Sequence, residues 1–237
     1  MSVVSALRRR SGSYGRSLLW SKALVLAGLL ALAAPARADT TEILALGDSL
    51  TQGYGLPAAE GFVPQLQAWL DARGHDVRIV NGGVSGDTTR GGLARVDWSL
   101  TPDIDAMIVT LGGNDILRGL DPADTRHNLR GILEAGRAKG VEMLVIGIAA
   151  ASNYGSDYKT AFDAIHPELA EEAGALYEPG FFAALREEGD DAGAALRYMQ
   201  ADGIHPNAEG VARIVDRIGP RVEDLIRRAG AADAPEG

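Results

Sequence analysis

The sequence predicts an α/β fold in which a mainly five-stranded parallel sheet lies between two layers of helices. Three observations lead there. Short β-branched or leucine-rich runs alternate with longer amphipathic segments along the chain after residue 38. The third of these runs, Ala106 to Leu111, is apolar throughout, as a strand covered on both faces must be. No repeat, low-complexity tract or linker divides the 237-residue chain, so one core should serve all of it beyond the leader.

Taken in order, Glu42-Ile43-Leu44-Ala45-Leu46 is the first strand, ending at Gly47. Phe62, Leu66, Trp69 and Leu70 recur at helical spacing within 62–73, and Gly74 stops that helix. Val77 to Val80 is the second strand, followed by a glycine-rich loop and a helix over about 88–100. After the third strand, Asp121-Pro122 opens a helix that keeps Leu129, Ile132 and Leu133 on one face and ends at Lys139-Gly140. Met143 to Ile148 is the fourth strand. One helix over about 158–173 leads to a short fifth strand at 175–177. Asn207 reads as the cap of a last helix running to about Ala229, with a fraying tail from Ala231. Five strands in this alternation fit a flavodoxin-like three-layer α/β/α sandwich. Such sheets bind ligands beyond the carboxyl ends of their strands.

The first 38 residues differ in kind. Arg8, Arg9, Arg10, Arg16 and Lys22 precede a 12-residue apolar run, Ala23 to Ala34, which is short for a membrane span. Ala36-Arg37-Ala38 then supplies a small-x-small cleavage pattern. Residues 1–38 therefore read as a signal peptide cut after Ala38, which implies a periplasmic or secreted domain over 39–237 with no stable membrane anchor after cleavage. With no cysteine there can be neither a lipoprotein anchor nor a disulfide. Cleavage would take six of the 23 basic residues and no acidic one, leaving 17 against 32 and a net charge of −15 over 199 residues. So acidic a surface argues against nucleic acid as a partner.

The polar segments with chemical capacity fall where a parallel sheet would place a site. Gly47-Asp48-Ser49-Leu50-Thr51 follows the first strand, Asn81 to Thr88 the second, and Gly112-Gly113-Asn114-Asp115 the third. Asp202-Gly203-Ile204-His205-Pro206-Asn207 precedes the last helix. Singly, each has a plainer reading: Ser49 as a helix cap, the glycines as turns, Asn114 as a left-handed turn residue. Together they hold the four components of acyl transfer. Ser49 offers a nucleophile and His205 an imidazole base. Asp202, three residues earlier in a turn, can orient the other ring nitrogen. The backbone N–H groups of Ser49 and Gly86 and the side-chain amide of Asn114 can donate to an oxyanion, and glycine at position 86 leaves substrate room to approach.

These blocks, in this order, resemble the signature blocks of the SGNH (GDSL) hydrolases, with the nearer likeness to the bacterial thioesterase I, lysophospholipase L1 and arylesterase group. Ser85-Gly86-Asp87-Thr88, Gly91-Gly92-Leu93-Ala94-Arg95, Leu111 to Asp115 and Asn153-Tyr154-Gly155 carry that nearer likeness. The resemblance implies a hydrolase of carboxylic esters or acyl thioesters with Ser49, Asp202 and His205 as triad. It implies Ser49, Gly86 and Asn114 as oxyanion donors and substrate contacts at Asn153 and Tyr154; the sequence itself carries no metal-ligand cluster and no cofactor motif, so none is expected. The resemblance also implies a small acyl ester or thioester as the partner. One departure is visible: the relatives carry a proline before Asn-Tyr-Gly, whereas this chain reads Ile148-Ala149-Ala150-Ala151-Ser152.

Other histidines compete poorly for the role of base. His75 and His127 read as surface residues. Asp163 and His166 repeat the Asp-x-x-His spacing, and His166-Pro167 mimics His205-Pro206, but they fall in the middle of a predicted helix. A lysophospholipase or carbohydrate acetyl esterase could use the same triad. A non-catalytic module gripping a phosphate in the 82–86 loop is the reading from another class, although that loop has neither dinucleotide-binding nor P-loop spacing.

Overall fold

The structure, a computed structural model, describes residues 40–186 and 193–232. The signal peptide expected over 1–38 and the tail beyond 232 lie outside the described residues. Five parallel strands form one sheet: β1 (Thr41–Gly47), β2 (Val77–Gly83), β3 (Ala106–Thr110), β4 (Glu142–Ile146) and β5 (Leu176–Glu178), in the order β2-β1-β3-β4-β5. Helices cover both faces. They are α1 (Ser49–Gln52), α2 (Phe62–Asp71), α3 (Thr89–Ser99), α4 (Gly113–Leu117), α5 (Pro122–Ala138), α6 (Ser156–Asp163), α7 (Ile165–Ala173) and α8 (Ala208–Ala232). The predicted three-layer sandwich is therefore present.

The core follows from the pattern of apolar residues. Ile43, Leu44 and Leu46 on β1 and every residue of β3 are buried, because β1 and β3 are central strands with helices above and below. Phe62, Leu66 and Leu70 bring α2 against α8, which supplies Ile214, Ile218 and Val222. On the other face α5 packs between α3 and α7 through Leu129, Ile132 and Leu133. Each such fully buried side chain contributes about 1.5–3 kcal/mol relative to exposure.

Three local readings are corrected. The strand expected to end at Val80 continues through Asn81, Gly82 and Gly83, since Gly83 pairs with Gly47 and only a residue without a side chain fits against the backbone of Gln52. The single helix expected over 158–173 is two helices meeting at Ala164. Pro167 has no N–H for the carbonyl of Asp163 and its ring opposes that carbonyl, so the first helix ends there. The last helix reaches Ala232 rather than Ala229 and accommodates Pro220. Gly219 beside that proline leaves space for the indole of Trp69, whose Nε1 donates to Asp216 at 2.9 Å. Other boundaries agree to within about two residues. Asn207 caps α8 as expected, its Oδ1 accepting from Gly210 N–H at 2.9 Å.

The strand order brings the site together. β1 lies between β2 and β3, with Gly47 in register with Gly83 on one side and Thr110 on the other. The loops after β1, β2 and β3 therefore emerge side by side, at the point where the chain reverses its direction across the sheet. Among the described residues, no helix is long and apolar enough to cross a membrane.

Candidate active site

Between Gly47 at the end of β1 and Ser49 at the start of α1 there is one residue, Asp48. Its Oδ1 accepts the N–H of Leu50 at 3.0 Å, so Asp48 caps the short helix. The plain reading of Ser49 as that cap is thereby removed, and the serine hydroxyl is left for another partner. That partner is His205, whose Nε2 lies 2.9 Å from Ser49 Oγ across 156 residues of sequence. Gly53, in the left-handed region at φ 87°, closes α1 one turn later.

His205 is fixed from its other side. Its Nδ1 is 2.6 Å from Asp202 Oδ2. A carboxylate only accepts, so Nδ1 carries the proton and Nε2 is free to accept from Ser49 Oγ–H. Asp202 Oδ1 accepts the backbone N–H groups of Ile204 and His205 at 2.9 and 3.0 Å. The His205 side chain first, and then these backbone donors, hold the Asp202 carboxyl down at about 2. Gly203, at φ 67°, lets the chain turn tightly enough for one carboxylate to take all three donors. Gln200 then ties this turn to the serine loop. Its Nε2 donates to the carbonyls of Tyr54 (2.8 Å) and Pro206 (3.0 Å), and its backbone N–H to that of His205 (2.7 Å). The Tyr54 ring stands 4.7 Å from the imidazole, centroid to centroid.

Asn114, in the first turn of α4, directs its amide to Asp48, the residue before Ser49. Nδ2 donates to Asp48 Oδ2 at 3.2 Å, which leaves its second hydrogen unassigned. Asp48 is 2 % exposed. Burial raises its carboxyl to about 6, against the opposing pull of the Leu50 N–H and the Asn114 amide. The next residue, Asp115, is also buried, and accepts from Thr89 N–H (2.9 Å) and Thr125 Oγ1 (3.2 Å), so it anchors α4 to α3 and α5. Gly86, in the loop after β2, takes φ 78°, and its carbonyl accepts from Arg118 Nη2 at 2.7 Å. A small open cleft borders this cluster, lined by Ser49, Leu50, Gly53, Tyr54, Leu56, His205, Pro206 and Val211. A larger depression, between α5 and α7, is lined by Arg130, Glu134, Arg137 and Glu172 among others and holds no nucleophile.

The structure thus brings Ser49, His205 and Asp202 into one hydrogen-bonded chain, with Asn114 joined to it through Asp48. Asn153 and Tyr154 stand apart from that network. Both are exposed on a turn over Ser152–Tyr154, where the Tyr154 ring packs near Gly119 and Tyr158.

Asp163 and His166 do not form a second dyad. Rather than sharing a helix, they flank the break at Ala164. Asp163 accepts from Ala150 N–H and pairs with Lys159, while the buried His166 contacts the Leu111 carbonyl at 3.0 Å. Burial pulls the His166 pKa down, so its ring stays neutral and donates to that carbonyl. His75, expected on the surface, is half-buried between α2 and α8 because Glu223 meets it at 2.8 Å; His127 is exposed as expected. The roles of Asp48 and Gln200 went unread in the sequence. Asp48 offered the only signal, a carboxylate directly before the serine in an N-cap position.

Comparisons with known proteins identify the family and the fold. A family model described as the GDSL-like lipase/acylhydrolase family matches residues 45–213. The esterase TesA of Pseudomonas aeruginosa is 36% identical over 207 residues, covering 86% of this chain and 100% of that protein. Thioesterase 1/protease 1/lysophospholipase L1 of Escherichia coli K12 is 36% identical over 192 residues, 81% of this chain and 86% of that one. The crystal structure of TesA is similar with a TM-score of 0.70 at 35% identity, covering 78% of this chain and 99% of the other. That of AlinE4, an SGNH-hydrolase family esterase, has a TM-score of 0.64 at 39% identity, covering 81% and 99%.

Proposed function

Because the chain belongs to the GDSL-like lipase/acylhydrolase family, we propose that it hydrolyses carboxylic esters or acyl thioesters through an acyl-enzyme on Ser49. The observation that carries this reading is the chain Ser49 Oγ, His205 Nε2, His205 Nδ1, Asp202 Oδ2, with contacts of 2.9 and 2.6 Å. Such a chain gives a hydroxyl a base and gives the base a fixed tautomer.

In the acylation step Ser49 Oγ attacks the acyl carbon as its proton passes to His205 Nε2. Asp202, ionised down to about pH 2, stabilises the imidazolium that forms. The acyl oxygen becomes an oxyanion held by the N–H groups of Ser49 and Gly86 and the second amide hydrogen of Asn114. Collapse of this intermediate breaks the bond to the leaving alcohol or thiol, which takes the proton from His205. Water then enters by the same route and releases the acid, freeing Ser49. Donors of this kind gain most when they are held in place before charge develops. The tether from Asn114 to the buried Asp48 supplies that restraint for one of the three.

The relatives' names include esterase, thioesterase and lysophospholipase, and the leaving group distinguishes these. A matched panel of p-nitrophenyl esters, acyl thioesters and lysophospholipids, with Ser49→Ala as the blank, tests the reading. Turnover that disappears in the blank supports it. Full activity in the blank refutes the mechanism, and binding without turnover would favour the non-catalytic module. We further propose that residues 1–38 are removed on export and that the enzyme acts in the periplasm or outside the cell. An exported protein whose first residue is Asp39 is the expected result; an intracellular one retaining Met1 to Ala38 contradicts it.

A further inference from the structure

Two sequence blocks, Ser85 to Thr88 and Gly91 to Arg95, hold charged residues with no part in proton transfer. The structure joins them beneath the site. Arg95, on α3, donates from Nε to Asp87 Oδ2 at 2.8 Å and from Nη2 to the carbonyl of Gly47 at 2.9 Å. Both side chains are only 12% exposed. Asp87 is the last residue of a tight turn, its N–H bonded to the Val84 carbonyl at 3.0 Å. Gly86 occupies the third position of that turn at φ 78°, where a type II turn favours glycine. The Gly47 carbonyl also accepts the N–H of Val84 at 3.0 Å. The turn carrying Gly86 is thus fastened at both ends to a residue two positions before Ser49. Space for the fastening is provided by Gly91, where any side chain would collide with Asp87 Oδ1.

We propose that Arg95 and Asp87 are positioning residues that set the Gly86 N–H at its working distance from Ser49 by locking the turn after β2 to the end of β1. This rests on the ester-hydrolase reading of the same site. An arginine suits the task because its planar fork serves a carboxylate and a carbonyl at once, which a lysine ammonium on its flexible stem does not do in fixed geometry. Neither residue lines the cleft beside Ser49 and His205, so their loss acts on the developing oxyanion and leaves ground-state binding alone. Losing one oxyanion donor outright lowers kcat by about 10²–10³-fold. A loosened donor forfeits part of that, on the order of 10–100-fold.

The test measures kcat and KM on p-nitrophenyl acetate for Arg95→Met, Arg95→Lys and Asp87→Asn, well below each variant's Tm. Competent sites are counted by organophosphate titration. Wild-type turnover against the Ser49→Ala blank separately reads whether the chain is an esterase. In Arg95→Met, kcat per titrated site should fall roughly 10–100-fold, with KM within about threefold and the pH midpoint of kcat unmoved, since His205 and Asp202 are untouched. Arg95→Lys and Asp87→Asn, which each keep one half of the interaction, should lose less. If Arg95→Met does not fold, these two decide by the same criteria. A wild-type kcat per site in any folded variant, or a loss confined to KM, overturns the proposal. So does failure of all three to fold, which would make the pair structural.

Discussion

Replacing Asp202 with asparagine exchanges one carboxylate oxygen for an amide nitrogen at nearly constant shape, and the surrounding donors decide which way the amide faces. Oδ1 accepts two backbone N–H groups, from Ile204 and His205. An NH₂ placed there would lose both bonds, at about 1 kcal/mol each, and set donors against donors. The amide oxygen therefore keeps that position, and the NH₂ faces His205 Nδ1 in place of the carboxylate oxygen that lies 2.6 Å away in the wild type. Nδ1 must then accept, so the imidazole proton moves to Nε2, and the ring can no longer take the proton of Ser49 Oγ. Where the triad aspartate is buried this exchange costs about 10⁴-fold in kcat. Asp202 is 37% exposed, and water can restore part of the productive tautomer. A loss of roughly 10²–10³-fold, about 3–4 kcal/mol of activation free energy, is expected here. Steady-state kinetics of Asp202→Asn on a p-nitrophenyl ester, beside a thermal melt, measures it. A variant with wild-type Tm and kcat within tenfold of wild type would refute the tautomer argument.

Asn114→Ala should lower kcat by about 10²–10³-fold with little change in KM and an intact fold by circular dichroism; normal turnover by the folded variant removes Asn114 from the site. Asp48→Asn should change how stability depends on pH. The Asp48 carboxyl titrates at about 6 in the folded protein, above its ordinary 3.8, so as pH rises the unfolded chain ionises first and folding is progressively disfavoured across that interval. By neutral pH the burden approaches roughly 3 kcal/mol. The Tm of Asp48→Asn minus that of wild type should therefore grow more positive between about pH 4 and pH 7, and a pH-independent difference would contradict the assignment. Asp202 works in the opposite sense: held at about 2, its contribution is complete above the ordinary carboxylate range and is lost only as pH falls toward that value. Acid melts of wild type and Asp202→Asn should thus stay apart at about pH 4 and draw together only as pH falls from there toward about 2.

Most of this site was legible because parallel sheets put their functional loops at one edge. Once the apolar runs at Ile43, Ile79 and Ala106 are read as strands, Ser49, Gly86 and Asn114 must emerge together, and the Asp202–His205 turn needs only three residues to close. What stayed hidden depended on contacts between distant segments. Asp48 looks like part of a motif until its carboxyl is seen between Leu50 and Asn114. Gln200 carries no sequence signal, since its value lies in reaching Tyr54, 146 residues away. The apolar period over 158–173 favours one helix, but Pro167 removes the N–H that would bond the Asp163 carbonyl and divides it into two. Asn153 and Tyr154 came from resemblance alone, and their turn packs toward Gly119 and Tyr158.

The central claim is that Ser49 carries the acyl group. Incubation with diethyl p-nitrophenyl phosphate, followed by peptide mass spectrometry, tests it most directly. One phosphoryl adduct per chain is expected, on the peptide containing Ser49, with loss of esterase activity in step with labelling and no adduct in Ser49→Ala. Stoichiometric labelling elsewhere, or esterase turnover that persists after Ser49 is fully modified, would contradict the account.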